Sequence, residues 1–298
     1  MPERTVESAI DRRGVATVTL SRPEKNNAYN GDMIGQLAAA LGDLAADDGV
    51  RVIVLRGAGR HFQAGADLAW VQSIRTESVE ANIAISERTA RAIHALTALP
   101  KPTVALVHGG CFGGGTGIAA ACDIVLADAT AVFAITEARW GLTAVPIIPQ
   151  LLSRMGAGRL RRYALTCERF GAQRAFEIGL VDEVCEAGGL DAAAAPIIDA
   201  LLRVPPQALA ESKESVLKYA GLYYTQQELT EMARPHGLKR LSDEAAEGLA
   251  SFLEKREPSW YPGPADAPAK AGEAGKRAGP KKDGKAKRGE AGKGRNKK

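Results

Sequence analysis

The chain has 298 residues, 45% of them apolar and 25% charged, with a formal net charge of +4. That apolar share supports one large core or two ordinary ones and excludes a wholly disordered chain. No stretch approaches the roughly 18 apolar residues of a membrane-spanning helix, and no signal core of about 7–15 apolar residues stands in the first thirty; a soluble, cytoplasmic protein is expected.

In chain order, Ala16-Thr17-Val18-Thr19-Leu20 alternates as a strand does, and the turn chemistry of Ser21–Asn27 breaks it. A helix is predicted from Gly31 to about Ala45, with Met33, Ile34, Leu37, Leu41 and Leu44 on one face. Val50–Leu55 reads as a strand followed by the glycine-broken loop Gly57–Gly65. A long helix over roughly Val79–Leu99 stops before Pro100 and Pro102, and Thr103–Val107 resumes as a buried strand. The run Gly109–Gly117 then leads into an Ala-rich helix ending near Cys122, with strands expected at Asp123–Ala127 and Ala131–Ile135. Strands alternating with helices imply an α/β fold with a largely parallel sheet. From Ile147 onward the pattern is almost wholly helical, which divides the chain into a core over 1–200 and a helical region over 201–262.

Segment 263–298 holds twelve Lys and Arg against four Asp and Glu, a net +8, and leaves 27 against 31, a net −4, on the rest. Almost wholly Ala, Gly, Lys, Arg and Pro, it is expected to be a disordered tail. Its charge would attract nucleic acid only weakly and without sequence preference, since no aromatic residue is present to stack on bases; a solubilising role is expected instead. Cys111, Cys122, Cys167 and Cys185 form no CxxC pair, so neither a zinc site nor a disulfide framework is supported and all four read as reduced, packed thiols.

The glycine cluster can be tested against three motifs. No lysine follows Gly113–Gly117 as a phosphate-binding P-loop requires. Gly57-Ala58-Gly59 meets Phe62 where a dinucleotide fingerprint has its third glycine, and no serine has the flanking glycines of an esterase elbow. What remains is two glycine-rich loops, each leaving a buried strand and each able to aim a backbone N–H at a shared cavity. Such a pair suits a developing oxyanion, helped in the second loop by the start of a helix. The alternative is that the glycines only let helices pack closely on the sheet.

The motifs then become specific. Arg22-Pro23-Glu24-Lys25 with Asn27-Ala28, His61–Leu68, Gly113-Gly114-Gly115 with Ala120–Ile124, Phe133–Glu137 with Trp140-Gly141-Leu142, and Glu247–Arg256 stand in order over some 250 residues. Together they resemble the signatures of the enoyl-CoA hydratase/isomerase (crotonase) superfamily. The resemblance implies a spiral of repeated β-β-α units with a helical C-terminal trimerisation region, and a homotrimer or hexamer. It implies an oxyanion hole from the N–H groups of Ala66 and Gly114 around the thioester oxygen of an acyl-CoA. It places Ala28, Arg60, Ala64, Asp67 and Leu68 along the CoA, with Phe252 and Lys255 closing over the site of a neighbouring subunit. A cationic Lys25, Arg60 or Lys255 suits the 3′-phosphate, although Lys25 reads equally as a solvated charge.

The acid–base inventory departs from the family. Its hydratases carry one glutamate at the position of Gly117 and a second at the position of Glu137; only Glu137 is present here. In a stretch apolar except for Thr136 and Arg139, burial would raise the pKa of Glu137 into the range useful for proton exchange; the alternative is a surface ion pair with Arg139 or Arg154. One carboxylate suffices to move a double bond, and with a held water it can also serve hydration as base and then acid. An enoyl-CoA hydratase is the leading expectation, a Δ3-Δ2 enoyl-CoA isomerase the second, and a non-catalytic acyl-CoA-binding protein a third of another class. No metal, nicotinamide or flavin is called for, CoA being part of the substrate. Trp70, Val71 and Ile74 are candidates for the tail pocket, and Asn26 stands where the family has an apolar residue.

Overall fold

A computed structural model describes residues 3–264. The chain runs β1 (Val6–Ile10), β2 (Val15–Leu20), α1 (Gly31–Ala46), β3 (Val52–Gly57), α2 (Leu68–Ile74), α3 (Val79–Ala98), β4 (Thr103–Val107), β5 (Gly110–Phe112) and α4 (Gly114–Ala120). It continues with β6 (Ile124–Asp128), β7 (Val132–Ala134), α5 (Ile148–Thr166), β8 (Phe170–Gly171), α6 (Ala172–Glu177), β9 (Glu183–Cys185), α7 (Leu190–Arg203), α8 (Pro206–Tyr219), α9 (Gln226–Arg240) and α10 (Asp243–Leu253).

The larger sheet has the order β1-β2-β3-β4-β6-β9 and is parallel except for the β1–β2 hairpin. Its central strands are buried on both faces because their side chains alternate between two layers. Ile53, Leu55, Ala105, Val107 and Val125 face α1 and α3, where Leu37, Leu41, Ile93 and Leu96 pack. Val52, Val54, Val104, Leu106 and Leu126 face α7 through Leu190, Ala194 and Ile198. One residue of register slip would exchange these layers; the pairing Val18↔Leu55, Leu55↔Ala105, Ala105↔Val125 keeps them in place.

The smaller sheet, β5-β7-β8, stacks the second strand of successive turns. β4-β5-α4 is one complete turn, and the stretch from β3 through Gln63 to α2 is the one before it, tied to β5 by the bridge Gln63↔Cys111. This is the spiral of β-β-α units that the sequence led us to expect.

The helical pattern expected after Ile147 begins with α5, which is two helices across a kink at the non-helical Gly156, φ 70°. β1, β8 and β9 were not anticipated, the last two being only two and three residues long. Residues Met1–Ser259 form one compact unit, in which α9 lies along α3 and α10 packs on α2 and the 3₁₀ turn Glu137–Trp140. Arg75 fastens this return, its Nε donating to the carbonyl of Arg240 at 2.8 Å. Cys111, Cys122 and Cys167 are buried and Cys185 half-buried, all as free thiols. No helix among the described residues is long and apolar enough to cross a membrane. The basic segment past residue 264 lies outside the described residues.

Candidate active site

Parallel bridges set extended segments of successive turns side by side: Tyr29 pairs with Ala66, Gln63 with Cys111, and Cys111 with Phe133. Each segment then turns into a helix, namely α1, α2, α4 and the 3₁₀ turn Glu137–Trp140. The spiral thereby gathers Tyr29, Ala66, Gly114 and Glu137, far apart in sequence, around one inner cavity of about 70 Å³.

Backbone alternation aims the amides. The N–H of Tyr29 donates to Gly65 O at 2.9 Å and that of Asp67 to Tyr29 O at 2.8 Å, so the N–H of Ala66 between them points away from Tyr29. It meets no protein acceptor among the described residues. Gly114 opens α4, where the first amides have no intrahelical acceptor, and its N–H is likewise without a partner. Two unused donors thus border the same cavity. Gly114 has to be glycine, because a Cβ there would stand 2.7 Å from the Tyr29 hydroxyl.

Glu137 faces these donors. A Cβ at Gly113 would lie 3.0 Å from its Oε1, and Gly113 adopts φ 51°, which suits glycine. The Oε2 of Glu137 is shut off from solvent and has no partner. Burial lifts its pKa to about 7, against the opposing pull of the Glu137 and Thr136 backbone amides. The ion-pair alternative does not hold: Arg154 pairs with Asp182 at 3.0 Å, and Glu137 has no cationic partner among the described residues. Burial and the Glu137 charge together hold the Tyr29 hydroxyl well above the ordinary tyrosine range, so it remains a donor. Thr143 adds a buried, unpartnered hydroxyl to the lining.

The Gly117 position is occupied by hydrocarbon. A Cβ at Gly117 would overlap the side chain of Ile147, which is itself buried and lines the cavity. The missing carboxylate is therefore matched by a neighbour that fills its space.

An outer groove of about 480 Å³ opens from the cavity, sharing Ala64, Ala66, Leu68, Thr136 and Trp140 with it. Lys25, Ala28, Asp67 and Phe252 also line this groove. Asp67 caps α2, accepting from Ala69 N and Trp70 N, and pairs with Arg22 at 3.3 Å, so it shapes the wall. Arg60 and Lys255 are exposed and stand outside the lining. Phe252 is set edge-on to Trp140 at 4.9 Å and lines this groove as well. Asn26, at φ 52°, lines the groove too. Of the tail-pocket candidates, Trp70 and Val71 reach the inner cavity and Ile74 does not.

Sequence reasoning did not assign four residues to the site. Arg139 and Arg169 line the groove, the Arg169 guanidinium lying 5.3 Å over the Phe112 ring. His236 and Arg240 enter the inner cavity from α9; no motif marks them, and only the fold-back of α9 onto α3 brings them there.

The family described as enoyl-CoA hydratase/isomerase matches residues 11–262. The chain is 32% identical over 210 residues to a short-chain-enoyl-CoA hydratase of Clostridium acetobutylicum, covering 70% of this chain and 79% of that protein. It is 32% identical over 252 residues to the peroxisomal Δ(3,5)-Δ(2,4)-dienoyl-CoA isomerase of Arabidopsis thaliana, covering 81% and 90%. The crystal structure of an enoyl-CoA hydratase from Mycobacterium avium superposes with a TM-score of 0.77 at 34% identity, over 87% of this chain and all of that one. With a matched region that takes in the whole spiral and the returning helices, the chain belongs to the enoyl-CoA hydratase/isomerase family, the crotonase superfamily, and is an enzyme of that kind.

Proposed function

We propose that the protein adds water across the double bond of a 2-enoyl-CoA, and runs the reverse dehydration, with Glu137 as its only acid–base group. The carrying observation is the buried, unpartnered Oε2 of Glu137 beside two unused backbone donors, at Ala66 and Gly114. The donors receive the thioester oxygen. Glu137 takes a proton from water, the oxygen bonds to C3, and the electrons move to the thioester as an enolate. Glu137 then returns the proton to C2. A group whose pKa lies near 7 serves both halves of this sequence. Hydrogen bonds fixed in advance, stronger to an enolate than to a carbonyl, lower the barrier without reorganisation.

CoA would lie in the outer groove, its phosphates near Lys25, Arg139 and Arg169. We further propose assembly as a homotrimer or a dimer of trimers through the C-terminal helices. Double-bond isomerisation is the second reading, favoured by the closure of the Gly117 position by Ile147.

Glu137→Gln separates these readings from mere binding. Assayed with 2-enoyl- and 3-enoyl-CoA esters, it should lose about 10²–10⁴-fold in kcat/KM on whichever ester the unaltered enzyme uses, while CoA binding measured by calorimetry stays the same. Unchanged turnover removes Glu137 from the reaction. Consumption of only the 3-enoyl ester selects isomerisation.

A further inference from the structure

The inner end of the cavity holds a cation that lacks a counter-ion. Arg240, on the last turn of α9, is only 3% exposed and lines the cavity, not the outer groove. Its Nη1 donates to the Asn82 carbonyl at 3.2 Å and to Asn82 Oδ1 at 3.0 Å, and its Nη2 to Ser86 Oγ at 3.1 Å. All three acceptors are neutral. No carboxylate comes within ion-pair distance of it among the described residues, although thirteen other ion pairs form there. A guanidinium has five N–H donors, so part of its fork is unspent.

Such a group is costly to bury alone, since a charge taken out of water needs an opposite charge or a full set of hydrogen bonds. The groups facing it do not provide that charge. Tyr29 stays protonated, as described above. His236, whose Nδ1 lies 2.8 Å from Ser86 Oγ, has its pKa pushed down to about 3 by burial and by Arg240, and so is neutral. Burial lowers Arg240 to about 10, which leaves it charged at neutral pH.

Position says what should meet it. The hole at Ala66 and Gly114 fixes the thioester, and the groove draws the CoA outward. The acyl chain must then run inward, past Glu137 and Ile147, toward His236 and Arg240. The inner cavity, about 70 Å³, is far smaller than the outer groove of about 480 Å³, which suits a short acyl chain better than a long one. A methyl-terminated tail would seal the guanidinium in hydrocarbon.

We propose that the substrate is a short acyl-CoA whose far end carries a carboxylate, the CoA half-thioester of a dicarboxylic acid, and that Arg240 is the residue that selects it. This inference rests on the acyl-CoA reading of the site but not on which reaction follows. A planar guanidinium matches a carboxylate with two parallel bonds, and Tyr29 and His236 supply polar neighbours for the remaining oxygen lone pairs.

Saturated thioesters test it without relying on turnover. Binding of succinyl-, glutaryl- and adipyl-CoA is compared by calorimetry with that of butyryl-, pentanoyl- and hexanoyl-CoA, the methyl-terminated chains of equal length. At one length or more the unaltered protein should bind the carboxylated ester roughly ten- to a hundredfold more tightly, as expected of a hydrogen-bonded ion pair. Arg240→Met should abolish or reverse the preference while leaving the affinity for CoA itself unchanged. Equal or tighter binding of the methyl-terminated ester at every length overturns the proposal, and because this comparison uses the unaltered protein it stands even if Arg240→Met fails to fold. If the preference is present but no enoyl thioester is turned over, the carboxylate proposal holds and the hydration reading fails.

Discussion

At the residue scale, the acid–base role proposed for Glu137 carries a cost in stability. Its carboxyl is held near 7 in the folded protein and titrates near 4.5 when unfolded, so between those values the folded state binds more protons. Stability from this group is therefore full below about 4.5 and declines as pH rises through 7. Glu137→Gln, an uncharged isostere, should melt at the same temperature as the parent at low pH and at a higher one above pH 7, by thermal denaturation across the range. Activity runs the other way. The ionised form takes the proton from water, so kcat/KM should fall as pH drops through about 7; a profile flat down to pH 5 would contradict the assignment. The sequence disclosed this residue and the Ala66/Gly114 pair because they lie in motifs. It did not disclose Arg240 or His236, whose role depends on contacts between α9 and α3 with some 150 residues between them.

At the element scale, α4 and the segment leading into α5 are fitted to each other. Gly117 faces Ile147 so closely that a glutamate placed there overfills the core. Gly117→Glu alone should destabilise the fold by about 1–3 kcal/mol. Combined with Ile147→Gly it should recover much of that loss, measured by denaturant titration, and any gain in hydration should be confined to the double variant. Recovery by neither would mean that a different contact fixes the position. The long elements were legible because their apolar residues recur with a clear period, as Leu37, Leu41 and Leu44 do in α1. β8 and β9 were not, since two or three residues carry no period. α5 is kinked at Gly156, whose backbone departs from helical values.

At the scale of the whole molecule, the spiral acts as a positioning device: parallel pairing of successive turns brings Tyr29, Ala66, Gly114 and Glu137 to one cavity. The outer side of α8 leaves Val216 68% and Tyr219 89% exposed, apolar surface of the kind that marks subunit contacts. Light scattering should give a trimer or hexamer for the protein and smaller species for Val216→Glu with Tyr219→Lys; a monomer at the outset would contradict the proposed assembly. The central claim is that two peptide N–H groups make the carbon next to the thioester acidic and that one carboxylate moves its proton. The most direct measurement is exchange of the C2 protons of a saturated acyl-CoA for deuterium, followed by NMR in heavy water. The account predicts enzyme-dependent exchange that is abolished in Glu137→Gln and slowed about 10²–10³-fold in Ala66→Pro, which lacks one donor. Exchange at the parent rate in both variants would contradict it.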